Sequence, residues 1–435
     1  MRRIPWLLLP VTGALLCLSG CLFGNVEEML SPPAPPALYQ SLQAKLLGEQ
    51  GEGEAIAPLG GENRQSVQLV DLDGDERQEA VAFFRDETAA SPLRISIFRQ
   101  NRDGDYHLLT RLEGAGSDIQ SVDYVDLVGD DCRELLVSWQ ASSAVHTLAA
   151  YRISGGETAA LLREPCDGFV TGDLNGNGRA EVLLLKKGGE GKPWRVLCQT
   201  ESGDGMKESG QAVLSQGAGE SPSWVWGTLA DGKPAVFVTS RLGAASKITD
   251  VLCFDGSGLR NLALSGDGGQ SDARCPDYAG VLPCDMTGDG VTDVPVATEI
   301  PGYGESEGQV FRWLSWRQYR SDGTSGAVLR TCCGTQGEWF LRFPASWTGE
   351  FSQSLSRKKG EERFSIARKG EEKPFLTITR LSGEDRGERS REKGQILLYA
   401  EADFLYTAQL FPEVWDCGLD KEGLVERFSI GTSGQ

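Results

Sequence analysis

The chain has 435 residues, with 43 Lys and Arg against 62 Asp and Glu, a formal net charge of −19, 55 glycines and 2 histidines. That length holds two or three domains, and a 40% hydrophobic content excludes wholesale disorder. The acidic balance argues against nucleic acid or anionic lipid as the main partner, because both reward Lys/Arg surfaces, and the Gly-rich composition leans towards β structure.

Arg2 and Arg3 precede an apolar run from Ile4 to Cys17. The run is short for a bilayer-spanning helix, which needs about 20 apolar residues. Leu18-Ser19-Gly20-Cys21 follows, with small residues at a processing point. This tetrapeptide resembles a bacterial lipobox. The resemblance implies removal of residues 1–20, a lipid on Cys21, and attachment to the extracytoplasmic face of the cell membrane; the other reading is an ordinary secretory signal.

Residues 21–62 read as a tether and a short helix. NVEEMLSPPAPP (25–36) is Pro-rich and extended, Leu38 to Leu47 has helical spacing, and residues 48–61 read as loop. Apart from Cys17 and Cys21, the cysteines are Cys132, Cys166, Cys198, Cys253, Cys275, Cys284, Cys332, Cys333 and Cys417. Their number is odd and no CxxC pair occurs, so a free thiol or an interchain bridge is expected and a structural zinc site is not. Disulfide pairing stays open, and the vicinal Cys332-Cys333 reads as two adjacent buried strand thiols, the other reading being a redox-active pair.

Residues 63–334 contain a repeat. The phrase reads VDLDGDERQEAVAFF from Val70, VDLVGDDCRELLVSW from Val125, GDLNGNGRAEVLLL from Gly172 and CDMTGDGVTDVPVAT from Cys284, with a worn copy, GTLADGKPAVFVTS, from Gly227. Strand–turn–strand patterns lie between the phrases, as in LRISIFRQ-NRDGD-YHLLTRL (93–112). Each unit thus supplies a strand before the acidic loop, one after it and a hairpin. Four strands per roughly 50 residues is the size of a propeller blade, and one such unit cannot bury its own apolar face.

In the first loop, numbered from Asp71, carboxylates occupy positions 1, 3, 5 and 9 (Asp71, Asp73, Asp75, Glu79), with the Arg77 carbonyl available at position 7. Alternate residues of a tight loop can converge on one point, which supplies the oxygen ligands a hard cation such as calcium requires. An EF-hand needs Glu at position 12, but Ala82, Val137, Leu184 and Val296 stand there, inside apolar strands. The third loop offers Asp173, Asn175, Asn177, Arg179 (by its carbonyl) and Glu181; the fifth offers Asp285, Thr287, Asp289, Val291 (by its carbonyl) and Asp293. The second keeps Asp126, Asp130 and Glu134 but has Val128 at position 3, and the fourth has lost its ligands. The other reading of these loops is acidic turns without an ion.

DxDGDxxxE at this period resembles the FG-GAP or VCBS repeats of integrin-like propellers, over about residues 64 to 333. The resemblance implies a mainly β fold, a β-propeller of four-stranded blades with calcium in its blade loops. Five units are visible, and a sixth or seventh would have to come from the segment after Leu329 or from residues near Ala55. Past Gly334 the pattern changes: WFLRFPASWTGEF (339–351) is followed by the basic stretches SRKKGEER (356–363) and ARKGEEK (367–373). Residues 335–435 read as a small α+β C-terminal domain.

His107 and His146 lie near no nucleophile motif, and no Walker or dinucleotide-binding glycine pattern occurs. Trp224, Trp226, Trp313 and Trp316 can stack on sugars, but their near-alternate spacing inside strands favours blade core. Tyr303 in IPGYGES (300–306) reads as a surfaced binding residue or as a turn with a packed ring. The expectation is a non-catalytic, calcium-stabilised binding or scaffolding lipoprotein of the cell surface. Its partner would be a surface protein or glycan and not nucleic acid. The alternative is a carbohydrate-active enzyme acting on wall or host glycans.

Overall fold

The computed structural model describes residues 37–114, 116–142, 145–203, 205–218, 222–264, 269–278 and 280–431. The expected signal, the lipidated Cys21 and the Pro-rich tether lie outside the described residues. Contacts divide the chain into two units: one takes residues up to Ala57, Gln65–Asp71 and Asp75–Ala115, the other Pro58–Arg64, Leu72–Gly74 and Gly116–Gln435. No helix among the described residues is long and apolar enough to cross a membrane.

In the first unit, helix α1 (Ala37–Gln50) runs three residues past the expected Leu47. Sheet one comprises β1 (Glu54–Ala55), β2 (Val67–Val70), β3 (Glu79–Arg85), β4 (Leu93–Gln100) and β5 (Tyr106–Gly114), all antiparallel, with β1 and β2 both on β3. The run EAVAFFR makes β3 a central strand because both of its faces are apolar. Ala80, Ala82 and Phe84 pack with Phe98, Tyr106 and Leu42 of α1, while Val81 and Phe83 are buried on the other face. Glu49, in the last turn of α1, accepts from Arg111 Nε (2.9 Å) and Ser96 Oγ (3.0 Å), and the Arg111 guanidinium holds its carboxyl below the usual range.

The second unit repeats the pattern. Sheet two is β6 (Asp118–Val125), β7 (Glu134–Ser142), β8 (Val145–Ser154) and β9 (Glu157–Cys166). Sheet three is β10 (Gly168–Gly172), β11 (Glu181–Lys186), β12 (Arg195–Glu201) and β13 (Met206–Val213). Sheet four is β14 (Ser223–Thr228), β15 (Pro234–Leu242), β16 (Ser246–Phe254) and β17 (Leu259–Asn261), with β18 (Arg274–Pro276) added to β16. Side chains alternate across a strand, and this alternation stacks the sheets in sequence order. Val182 and Leu184 of β11 pack with Leu136 and Leu148 of sheet two, whereas Leu183 and Leu185 pack with Val236 and Val238 of sheet four. Sheet three therefore buries its two apolar faces against sheets two and four, its neighbours in sequence.

Sheet five departs from the expected plan. Its strands are β19 (Val294–Pro301), β20 (Val310–Tyr319), β21 (Ser325–Cys333) and β22 (Trp339–Arg342). The expected strand before its acidic loop shrinks to one bridge, Cys284 with Asp293. Pro283, immediately before it, has no N–H to give a ladder. Because β22 pairs with β21, the domain boundary expected at 334 falls inside this sheet.

Beyond it lies sheet six: β23 (Phe351–Lys358), β24 (Glu361–Arg368), β25 (Leu376–Ser382), β26 (Ile396–Ala400) and β27 (Phe404–Leu410), in the order 23-24-25-27-26. The helices α2 (Arg386–Arg389) and α3 (Lys421–Arg427) are short, so among the described residues after 334 sheet dominates over the expected α+β mixture. The last strand, β28 (Phe428–Ile430), returns to pair with β22 and completes sheet five. Trp313, Cys332 and Trp339 of sheet five share one core with Phe364, Ile378 and Tyr406 of sheet six. Cys333 faces a different core, with Cys275 and Trp316. The two vicinal thiols thus point to opposite faces, and the nine described cysteines are all unbridged.

Candidate metal loops

The acidic loops join the first and second strands of their sheets, and their ninth residue re-enters the sheet. Glu79, Glu134 and Glu181 are the first residues of β3, β7 and β11, and Asp293 directly precedes β19. All four side chains are buried. Three reach back to clasp the start of the loop. Glu134 Oε2 accepts Leu127 N–H at 2.8 Å, and Glu181 Oε2 accepts Leu174 N–H (2.8 Å) and Asn175 N–H (3.1 Å). Asp293 Oδ2 accepts Met286 N–H (2.9 Å) and Thr287 N–H (3.0 Å). Burial pushes the carboxyls of Glu134, Glu181 and Asp293 up from their ordinary values. Position 9, read from the sequence as a ligand, is thus also a clasp that closes the turn.

Position 1 organises the rest. Asp285 accepts the N–H groups of Gly288 (2.6 Å), Asp289 (3.1 Å) and Gly290 (2.8 Å), and Asp173 does the same for Gly176 (2.7 Å), Asn177 (3.1 Å) and Gly178 (2.8 Å). Position 4 is left-handed in every clear copy, with φ of 72° at Gly74 and 80° at Gly288, which explains its glycine. Position 6 is left-handed too, and Glu76 (66°) and Asp131 (63°) adopt it without being glycine. Position 5 fixes position 7. Asp75, Asn177 and Asp289 accept the N–H of Arg77 (2.9 Å), Arg179 (2.8 Å) and Val291 (2.9 Å).

The loops differ in what they gather. In the first, ligand oxygens of Asp71, Asp73 and Glu79 lie within 4.8 Å of one another, the one such carboxylate, histidine or cysteine group among the described residues; Asp75 is not part of it. Arg99 Nε also reaches Glu79 Oε1 at 3.2 Å. In the fifth, Asp293 Oδ1 is buried with no hydrogen-bond partner among the described residues, while Gln318 occupies Asp289 Oδ2 at 2.9 Å. In the third, Asn175 turns its amide donor to Glu181, and in the second Arg152 ion-pairs with Asp130. In the worn fourth copy Asp231 accepts from Ser321 Oγ at 2.6 Å. Oxygen-only ligation suits the first loop best, because three ligand oxygens converge there even with Arg99 on Glu79; the second loop gathers no such group among the described residues, and Arg152 pairs with its position-5 carboxylate.

One feature escaped sequence reading: the loops are tied together through backbone. The position-8 N–H of a later loop donates to the carbonyl of an earlier one, Arg133 to Leu72 (2.9 Å), Ala180 to Asp126 (3.4 Å) and Thr292 to Thr228 (2.9 Å). Side-chain identity at position 8 carries no signal of this, because the bond is main-chain.

Among the aromatics, Trp313 and Trp316 are core residues, 4% and 0% exposed, whereas Trp224 and Trp226 are half-buried against the core of sheets three and four. The Tyr303 hydroxyl is buried, and burial pushes its phenol up, which matches the packed-ring reading and not the surfaced one. The first strands of sheets two, three and four line a cavity of about 460 Å³, into which Asp123, Thr171 and Trp226 enter with Glu62 and Asn63.

No family model matches the chain, and no curated protein matches it. Among solved structures it is similar to the exotype rhamnogalacturonan lyase YesX, at 12% identity over 68% of this chain and 72% of that one, with a TM-score of 0.29. It is similar to the Dos1 propeller at 10% identity over 82% and 81%, with a TM-score of 0.28. It is also similar to an exo-β-1,3-galactanase from Phanerochaete chrysosporium, at 9% identity over 86% and 90%, with a TM-score of 0.25.

Proposed function

We propose that the chain is a non-catalytic binding or scaffolding β-propeller of the FG-GAP/VCBS type, stiffened by calcium in its acidic loops and held at the cell surface by a lipid on Cys21. The observation that carries this reading is the convergence of Asp71, Asp73 and Glu79. Arg99 offsets part of the charge at Glu79, and a cation bound among the three would relieve the repulsion that remains between carboxylates this close. Calcium would supply that charge, with Asp71, Asp73 and Glu79 as its holders in loop one and the sets from Asp285 and Asp173 following in that order. The loops are then committed to rigidity, which makes them poor candidates for catalytic acid and base.

Thermal unfolding of the full chain with calcium and with a chelator tests the metal. Saturating calcium at about 100 times its dissociation constant adds about 2.7 kcal/mol, or about 3 °C if the chain melts as one unit. Asp73→Ala removes much of that response and Lys233→Ala does not; identical melts in both conditions reject the reading. For the anchor, Cys21→Ala abolishes metabolic lipid labelling, and undiminished label rejects it. A second reading, a carbohydrate-active enzyme, draws on the cavity bearing Asp123, Glu62 and Trp226. Glycan turnover abolished by Asp123→Asn, with the melt unchanged, would favour it.

A further inference from the structure

Sheet six changes character along its inner face. Phe364, Ile378 and Ala408 are cross-strand partners within the shared core. Two residues along, the same face carries Glu362, Arg380 and Tyr406 in register, with Arg357 opposite Glu362. Charged groups on a core-facing row cost desolvation unless something polar meets them. Here they line a cavity of about 610 Å³, together with Glu338, Glu401 and Phe404, a volume within the range of small-ligand sites.

The polar groups of this cavity are not equally engaged. Arg357 is bound to Glu362 (2.6 Å), and Glu401 accepts the Tyr399 hydroxyl (2.6 Å). Arg380 ion-pairs with none of the described carboxylates; it lies 4.7 Å over the Phe404 ring and hydrogen-bonds the hydroxyl of its cross-strand partner Tyr406. Glu338 accepts Gln336 N–H at 2.8 Å and is seated over Gly334, where a Cβ would lie 2.3 Å from its carboxyl carbon. Arg380 keeps N–H donors beyond the one Tyr406 takes, and Glu338 keeps acceptor capacity, so one cation and one carboxylate remain able to meet a ligand. A ligand of either net charge meets a like charge, whereas adjacent hydroxyls offer donors to Glu338 and acceptors to Arg380. We propose that this cavity binds a neutral polyhydroxylated ligand, a carbohydrate, with Arg380 and Glu338 as its polar contacts and Phe404 as an apolar wall. This deepens, and rests on, the binding function proposed above.

The test is saturation-transfer NMR of the full chain with glucose, galactose, mannose and N-acetylglucosamine, with glucuronate as the charged comparison. At least one neutral sugar is expected to bind, with its dissociation constant raised at least about tenfold by Arg380→Gln and by the near-isosteric Glu338→Gln, and unchanged by Glu299→Gln. Absence of neutral-sugar binding, binding insensitive to both substitutions, or tighter binding of glucuronate overturns the proposal. The calcium-dependent melt, read on the same samples, reports separately on the scaffold. A calcium response without sugar binding overturns this site alone. Sugar binding lost in Arg380→Gln without a calcium response supports the site and overturns the metal.

Discussion

Replacing Asp285 separates two roles that one carboxylate plays. In the loop it accepts three main-chain N–H groups, from Gly288, Asp289 and Gly290 at 2.6, 3.1 and 2.8 Å. Net hydrogen bonds contribute about 0.5–1.5 kcal/mol each. Because water can reach this exposed turn, Asp285→Ala should cost about 2–3 kcal/mol in chelator. Asp285→Asn keeps one oxygen for the Gly288 and Asp289 donors and loses the acceptor facing Gly290, so it should cost about 1 kcal/mol. Asn keeps an oxygen ligand but loses the charge, so Asp285→Asn should lose part of the calcium-dependent increment and Asp285→Ala more of it. Urea unfolding with and without calcium reads all four quantities. Equal destabilisation of the two variants in chelator would refute the hydrogen-bond argument, and an undiminished calcium increment in Asp285→Asn would remove this loop from the metal-binding set.

Two further expectations concern packing and pH. A Cβ at Gly172 would lie 2.7 Å from Trp226 Cζ2, so Gly172→Ala should cost about 1–3 kcal/mol in urea titrations. Trp226→Phe should recover part of that loss in the double variant, and strict additivity would show that the contact is not the cause. Burial pushes the thiols of Cys275 and Cys333 up to about 12 from an ordinary value of 9.0. Above pH 9 the unfolded chain therefore releases protons that the folded chain keeps, and stability falls as pH rises from 9 towards 12. The slope is about 1.4 kcal/mol per pH unit for each thiol. Cys275→Ala should flatten the decline in urea midpoints between pH 9 and 10.5; a slope identical to that of the parent chain would refute the assignment.

The chemical form of the acidic loop follows from local sequence. Glycine at position 4 meets a left-handed backbone, Asp at position 1 gathers the N–H groups that follow, and apolar residues at position 12 bar an EF-hand. These are contacts within nine residues, so their pattern survives in the one-dimensional string. The same holds for sheets one to four, whose neighbouring strands are joined by short turns and keep period-two alternation. The Arg152–Asp130 pair, which occupies the position-5 carboxylate of the second loop, joins a loop residue to one on β8, 22 positions later, and was not visible in the repeat phrase.

What the sequence determined by itself is therefore the repeat, its period, its strand-loop-strand grammar and the oxygen-bearing residues proposed to hold a cation. Tertiary structure decided which faces meet and where a sheet ends. Val182 and Leu183 are equally apolar, and only the stacking of sheets assigns them to opposite cores. Sheet five is closed by Phe428–Ile430, some ninety residues after the strand it joins, in the register Trp339 with Ile430. A local pattern cannot announce that partner, because a strand's unpaired N–H and C=O groups accept any edge of suitable register. The choice is made by the large shared core of Trp313, Trp339, Phe364 and Tyr406, which is buried only when sheets five and six pack together.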